Sequence, residues 1–295
     1  MTASFEIPTF DAFIAMDWSG AMGRYNGIAV AVCETGQSAP RLVEPRGSRC
    51  WTRAAVANWI EDLLDRGGRN LIGLDFAFGF PFERNLGYLG GHAPGVNHIF
   101  KLWSLIEAHS CGDPDFGCTQ FISRPEYETL FWKSGKRPPS WIERKRRTEH
   151  ACAENTGTRP DTLYKLLHSK QVGKASITGM RVLHHVRSRK GDRVAIWPFE
   201  RVHSSAIVEI YPTMFRKIAN GFIAKLNSAA ELNQALASIG SRPLARSAKQ
   251  NLSDHETDAL ISAAGLRWIA CNPSVWNHSE LCSQIVRREG WIFGV

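Results

Sequence analysis

Three apolar runs carry a single acid each: Phe13-Ile14-Ala15-Met16-Asp17, Leu71-Ile72-Gly73-Leu74-Asp75 and Ile207-Val208-Glu209-Ile210. A fourth group, Asp254-His255-Glu256-Thr257-Asp258-Ala259-Leu260, opens a segment with helical spacing. A carboxylate inside a buried strand loses its hydration and survives there when it is paired, protonated or bound to a cation. One such residue is an accident of packing; four suggest a metal cage. Hard carboxylate oxygens favour Mg2+ or Mn2+ over zinc. Asp17, Asp75, Glu209, Asp254 and Asp258 are the candidate ligands, and His255 or Asp254 is placed to position a water. Two divalent ions about 4 Å apart can activate a water and stabilise the departing oxygen of a phosphodiester. In that chemistry Asp17 bridges both ions, with Asp75 and Asp258 each favouring one. The plain alternative for Asp17 and Asp75 is a strand-end aspartate closing a turn. For Asp254 and His255 it is a favourable seat at a helix N-terminus, and Glu209 could instead hold a basic residue from the middle of the chain.

The elements that must position these side chains follow from spacing. Residues 13–20 and 27–35 read as strands joined by a turn around Gly20 and Gly27, with a short third strand at 41–46. From Thr52 onward Val56, Trp59, Ile60, Leu63 and Leu64 share a helical face, and Gly67-Gly68 supplies a stop. Residues 71–80 are apolar on both alternating faces, as in a central strand covered on two sides, and Pro81 ends the run. The first part of the chain therefore reads β-β-β-α-β. Residues 82–193 are irregular, with helical stretches at 99–108 and 162–168, and read as an insertion over one end of the sheet. Residues 194–197 and 206–211 resume strand character, 213–240 look helical, and a last helix begins at Ser253, where Ser253 and Glu256 form an S-x-x-E capping box. The fold class is α/β, a mixed sheet whose core is split into residues 1–81 and 194–295 by a basic, mostly helical insertion.

Charge is unevenly distributed. Between Lys133 and Arg193 sixteen Lys/Arg face five acids, a local net of +11 in a chain whose total is +8, so an acidic body carries a basic middle. A polyanion such as DNA or RNA fits that division. Lys133, Lys136, Arg137, Trp141, Arg144, Lys145, Arg146 and Arg147 mix cations with an aromatic, as phosphate contacts and base stacking require, and Lys170 and Lys174 precede an apparent helix where a phosphate could dock. The bland reading is a solvated basic helix face over buried tryptophans.

At 295 residues and 43% hydrophobic the chain can bury a large core. Seven scattered cysteines without a C-x-x-C predict reduced thiols and a cytoplasmic location. Cys111 and Cys118 lack the second close pair of a structural zinc site. No run of about 18 apolar residues suits a membrane span. Oligomeric state is not readable from the chain.

The order of elements, ending in a helix that carries D/H-x-x-D-A, resembles the ribonuclease H-like fold. The segments 15–20, 73–81, 208–212 and 254–260 look like the four motifs of a largely uncharacterised family of predicted ribonuclease H-like nucleases, catalogued as a domain of unknown function. His255 and Asp258 are also similar to the H-x-x-D-A ending of the crossover-junction endonuclease RuvC. The resemblance spans nearly the whole chain and implies that Asp17, Asp75, Glu209 and Asp258 form an acidic metal cluster in a nuclease. Two other functions compete with it. One is a nucleotide-dependent phosphotransferase or ATPase of the actin-like type, which needs a second copy of the fold. The other is a nucleic-acid-binding protein of this fold without catalysis.

Overall fold

Strand β1 (Ala12–Asp17) is the axis about which the sheet is built. It pairs antiparallel with β2 (Ala29–Glu34), which pairs antiparallel with β3 (Arg41–Val43). On its other edge β1 runs parallel to β4 (Asn70–Leu74), which runs parallel to β6 (Ser205–Glu209), and β5 (Val194–Ile196) closes that side in parallel. The computed structural model describes residues 6–21, 27–167, 172–221, 224–226, 228–245, 248–249, 251–277 and 279–295. Among these the sheet has six strands in the order β3-β2-β1-β4-β6-β5.

Helices cover both faces. The crossover α1 (Arg53–Asp65) is capped by Thr52, whose side chain accepts from Ala55 N–H. It packs with α5 (Val172–Lys190), which also lies against α2 (Ile99–Ala108). Their apolar faces meet Ile14, Met16, Ile72, Leu74 and Ile207 in one core. The other core holds Phe13, Ala15, Leu71, Val208 and Ile210 together with α6 (Pro212–Asn220), α7 (Ala229–Ser238) and α8 (Asp254–Ala270). Alternate residues of each strand thus serve alternate cores, the period-two consequence of strand pleating. At Gly73 an added Cβ would come within 2.6 Å of Ile210 Cγ2 and 2.7 Å of Leu266 Cδ1, so the glycine lets α8 lie close to the sheet. The shorter helices are α3 (Thr119–Ile122), α4 (Arg147–Thr156), α9 (Pro273–Trp276) and α10 (Val286–Glu289).

The mixed α/β class and the β-β-β-α-β opening agree with the sequence reading. Four local expectations do not hold. The apolar run at 71–80 leaves the ladder after Leu74, because Ala77 N–H donates to Ser176 Oγ and Phe78 N–H to Glu209 Oε2, so side chains satisfy the buried donors that a strand would pair. Residues 162–167 form a turn and a bridge instead of a helix, with Trp132 N–H on Tyr164 O and Leu166 N–H on Trp132 O. The segment 213–240 is two helices, interrupted where Gly221 takes φ 74° as a C-cap. Residues 82–193 contribute α2 to α5 and no strand among the described residues, and α5 covers a face of the sheet rather than one end. No helix of the described residues is long and apolar enough to cross a membrane.

Candidate active site

Asp17 and Asp75 follow directly from strand register. Met16 is paired with Leu74 across the β1–β4 parallel ladder, so the next residues, Asp17 and Asp75, leave their strands side by side. Met16 and Leu74 point into the core beneath α1 and α5, and the pleat turns the two aspartates to the opposite side, toward α8. Asp75 N–H donates to Met16 O at 3.0 Å, the bond that holds the end of β4 against β1.

The chain beyond Asp17 is held from three directions. Trp18 Nε1–H donates to Thr178 Oγ1 at 3.2 Å, and the buried Arg53 guanidinium donates to the carbonyls of Ser19 and Ala21. At Gly20 a Cβ would fall 2.4 Å from the backbone nitrogen of Ala175, so the first turn of α5 abuts this loop and brings the half-buried Lys174 beside the site. From the other side the Ser253–Glu256 capping box fixes the start of α8 and with it His255 and Asp258.

Electrostatics distinguish the acids. Asp17 is 5% exposed and its carboxyl is raised above the usual range, chiefly by loss of water and against the pull of His255. His255 Nδ1 is hydrogen-bonded to Asp17 Oδ2, and this bond raises the imidazole above its ordinary value. Asp75 is raised well above the ordinary range, first by desolvation and then by the charge of Asp17. The two carboxyls act on each other, and as neighbours they favour holding a proton between them over carrying two charges. Two unit charges about 4 Å apart cost on the order of 4 kcal/mol at the effective dielectric of a protein surface, and sharing a proton removes that cost.

Asp258 also reaches the cluster, and its charge contributes to raising both other carboxyls. Its Oδ1 is paired with Arg216 Nη1 and its Oδ2 with Lys225 Nζ. Sequence reading missed both cations. Arg216 carried a signal, since it falls on the buried face of α6 with Met214, Phe215 and Ala219, where an arginine needs an acid. Lys225 lies outside any helix or strand and had none.

Two predicted ligands are elsewhere. Glu209 is in register with Leu74, one residue short of the Asp17–Asp75 level, so its side chain points to the opposite face of the sheet. There it is 3% exposed, bound by both terminal nitrogens of Arg146 and by Phe78 N–H, in a buried group with Glu149. This corrects its assignment to the metal set: it holds a basic residue of the insertion. Asp254 stands exposed on the first turn of α8. Among the described residues no group of three or more His, Cys, Asp or Glu has the arrangement of a metal site. The expected four-acid cage is thus reduced to the Asp17–Asp75 pair with Asp258 and His255 at its rim.

No protein-family model, curated protein or solved structure matches the chain. A groove of about 240 Å³ opens beside His255, between β2, β3 and the start of α8, with Arg49 and Lys249 on its walls. A larger cavity of about 910 Å³ lies elsewhere, lined by Trp197, Phe199, Arg201 and Trp276, and contains none of the candidate site residues.

The basic segment is only partly a free surface. Arg146 is buried in its glutamate cluster and Trp141 is 5% exposed with its Nε1–H on Leu130 O, so neither can meet a nucleic acid, which corrects both assignments. Arg144 pairs with Glu83, Lys145 with Glu143 and Arg147 with Glu280. Much of the basic excess is tied to acids of the body, as Arg189 is to Glu61 and Lys190 to Asp65. Lys133, Lys136 and Arg137 are exposed and form no ion pair among the described residues. Lys170 lies outside the described residues.

Proposed function

We propose that the protein is a divalent-metal-dependent nuclease of the ribonuclease H-like kind, hydrolysing phosphodiester bonds of nucleic acid. The observation that carries this reading is the meeting of Asp17 and Asp75, side by side at the carboxyl ends of adjacent parallel strands, each charge acting on the other. Carboxyl ends of parallel strands are where open α/β sheets bind ligands. Three antiparallel strands, a crossover helix and a parallel fourth strand support the fold that the motifs imply.

The donors suit Mg2+ or Mn2+: two carboxyls rich in oxygen, desolvated, and raised in a way that a cation would relieve. Asp17 and Asp75 would hold the ion, with Asp258 alongside. Such an ion supplies a more acidic water and neutralises charge on a phosphate. His255 keeps its proton more firmly than a free imidazole because Asp17 accepts its Nδ1–H. With its side chain 44% exposed, it can offer the other ring nitrogen to a substrate oxygen. Lys174 beside the loop after Asp17, and Lys133, Lys136 and Arg137 further out, supply charge for the phosphate backbone.

The test is incubation of purified protein with Mg2+ or Mn2+ and labelled single-stranded, duplex and branched DNA and RNA. Cleavage that disappears in Asp17→Asn is the expected result. Failure to cut any of these substrates with either ion would sink the proposal, and ATP turnover in its place would favour a phosphotransferase.

A further inference from the structure

The three acids of the site are not equivalent. Asp17 is partnered by a histidine, Asp75 makes no ion pair among the described residues, and Asp258 has a side-chain cation on each oxygen. Arg216 is fixed in this role: its side chain is 5% exposed, and Nη2 donates to Thr213 Oγ1 at 2.8 Å while Nη1 holds Asp258. Lys225 is more accessible, 37% exposed, and approaches the other carboxylate oxygen from the segment between α6 and α7.

Three carboxylates, one arginine, one lysine and a His255 that keeps its proton sum to zero. Two divalent ions would leave four positive charges in a desolvated site, and the second ion would have to settle against two cations already on Asp258. One ion leaves two positive charges, of which a phosphodiester neutralises one. Each carboxylate oxygen retains another lone pair, so what Arg216 and Lys225 consume is the negative charge rather than the whole coordination capacity of Asp258.

We propose that the centre takes one divalent cation, at Asp17 and Asp75, and that Lys225, together with Arg216, fills the place of a second ion by neutralising Asp258. The proposal rests on the reading of Asp17 and Asp75 as ion ligands. It makes Lys225 a positioning residue that sets metal stoichiometry, and this can be read without any substrate.

The experiment is Mn2+ titration of the full chain, followed by calorimetry and by the electron paramagnetic resonance of free Mn2+, for the wild type, Lys225→Met and Lys225→Arg. The wild type and Lys225→Arg are expected to bind one Mn2+ per chain and Lys225→Met two, with the circular dichroism of all three unchanged. Two ions in the wild type would overturn the proposal while leaving the metal reading intact, and this arm holds even if Lys225→Met fails to fold. One ion in a folded Lys225→Met would remove Lys225 from the role. No Mn2+ bound by any of the three would bring down the ligand reading itself, and this proposal with it.

Discussion

Asp17 and Glu209 flank the same strand, β4, yet face opposite sides of the sheet: Asp17 follows the residue paired with Leu74, whereas Glu209 is itself in register with Leu74. A shift of one residue moves a side chain from one face to the other. The two acids therefore have different work, and their substitutions should separate. Asp17→Asn removes one member of a crowded carboxyl pair and should leave the metal-free fold as stable as before, while abolishing stabilisation by Mn2+. Glu209→Gln breaks a buried ion pair and should cost roughly 3 kcal/mol, lowering Tm by several degrees, with Mn2+ stabilisation retained. Thermal melts of both variants with and without Mn2+ check this; loss of the Mn2+ effect in Glu209→Gln would put that residue back in the metal set.

Metal binding should be opposed by acid. Asp75 is held well above its ordinary value, and Asp17 is raised in the same direction. A carboxyl whose folded value exceeds its unfolded one favours the folded state most below the unfolded value, and that contribution is lost as pH rises through the folded value. The metal-free Tm should accordingly fall between acid and neutral pH, and Asp75→Asn should flatten the fall. A cation binds the deprotonated pair, so Mn2+ stabilisation should grow over the same range. Melts from pH 5 to 8 in matched buffers provide the measurement. A Tm indifferent to Mn2+ throughout would count against a site at Asp17 and Asp75.

Much of this centre was legible in the residue order. An acid ending an apolar run marks a strand terminus, and the β-β-β-α-β order, through its resemblance to the ribonuclease H-like fold, implied that Asp17 and Asp75 belong to one cluster. The capping box at Ser253 located α8 and oriented His255 and Asp258. What the pattern does not carry is pairing register across β4 and β6, because a fully buried strand is apolar on both faces and periodicity leaves its phase undetermined. Glu209 was misassigned for that reason. Charge density likewise does not reveal partners: the acids that engage Arg144, Arg147 and Arg189 come from Glu83, Glu280 and Glu61, far away in sequence.

Nucleic-acid affinity should depend on the exposed end of the basic segment. Lys133, Lys136 and Arg137 are solvent-facing without ion pairs among the described residues, so a triple substitution to Ala should leave Tm nearly unchanged. If each contacts one phosphate, the slope of log affinity against log salt should fall by about 2 to 3. Arg146→Ala is the contrasting variant, expected to unfold or strongly destabilise the protein because Glu149 and Glu209 would be left buried and unpaired. An unchanged salt slope in the triple variant would remove this edge from the binding surface.

The junction between the insertion and the C-terminus should weaken as pH rises past neutrality. Glu289, 4% exposed, accepts from Phe82 N–H at 2.7 Å and from Arg147 N–H at 2.8 Å, so one carboxyl ties the start of the insertion and the start of α4 to α10. Burial raises its value to about 7 against the two backbone hydrogen bonds and the nearby Arg146. Because the folded value lies above the unfolded one, the stabilisation is complete below the ordinary glutamate range and is lost as pH climbs through about 7. The full effect is on the order of 3 kcal/mol. Amide exchange at Phe82 and Arg147, compared at equal intrinsic rates, should report local opening that increases from pH 6 to 8. Glu289→Gln loses one of the two acceptor oxygens and should start less stable, yet its opening should no longer depend on pH in this range. A pH dependence that survives in Glu289→Gln would assign the effect to another group.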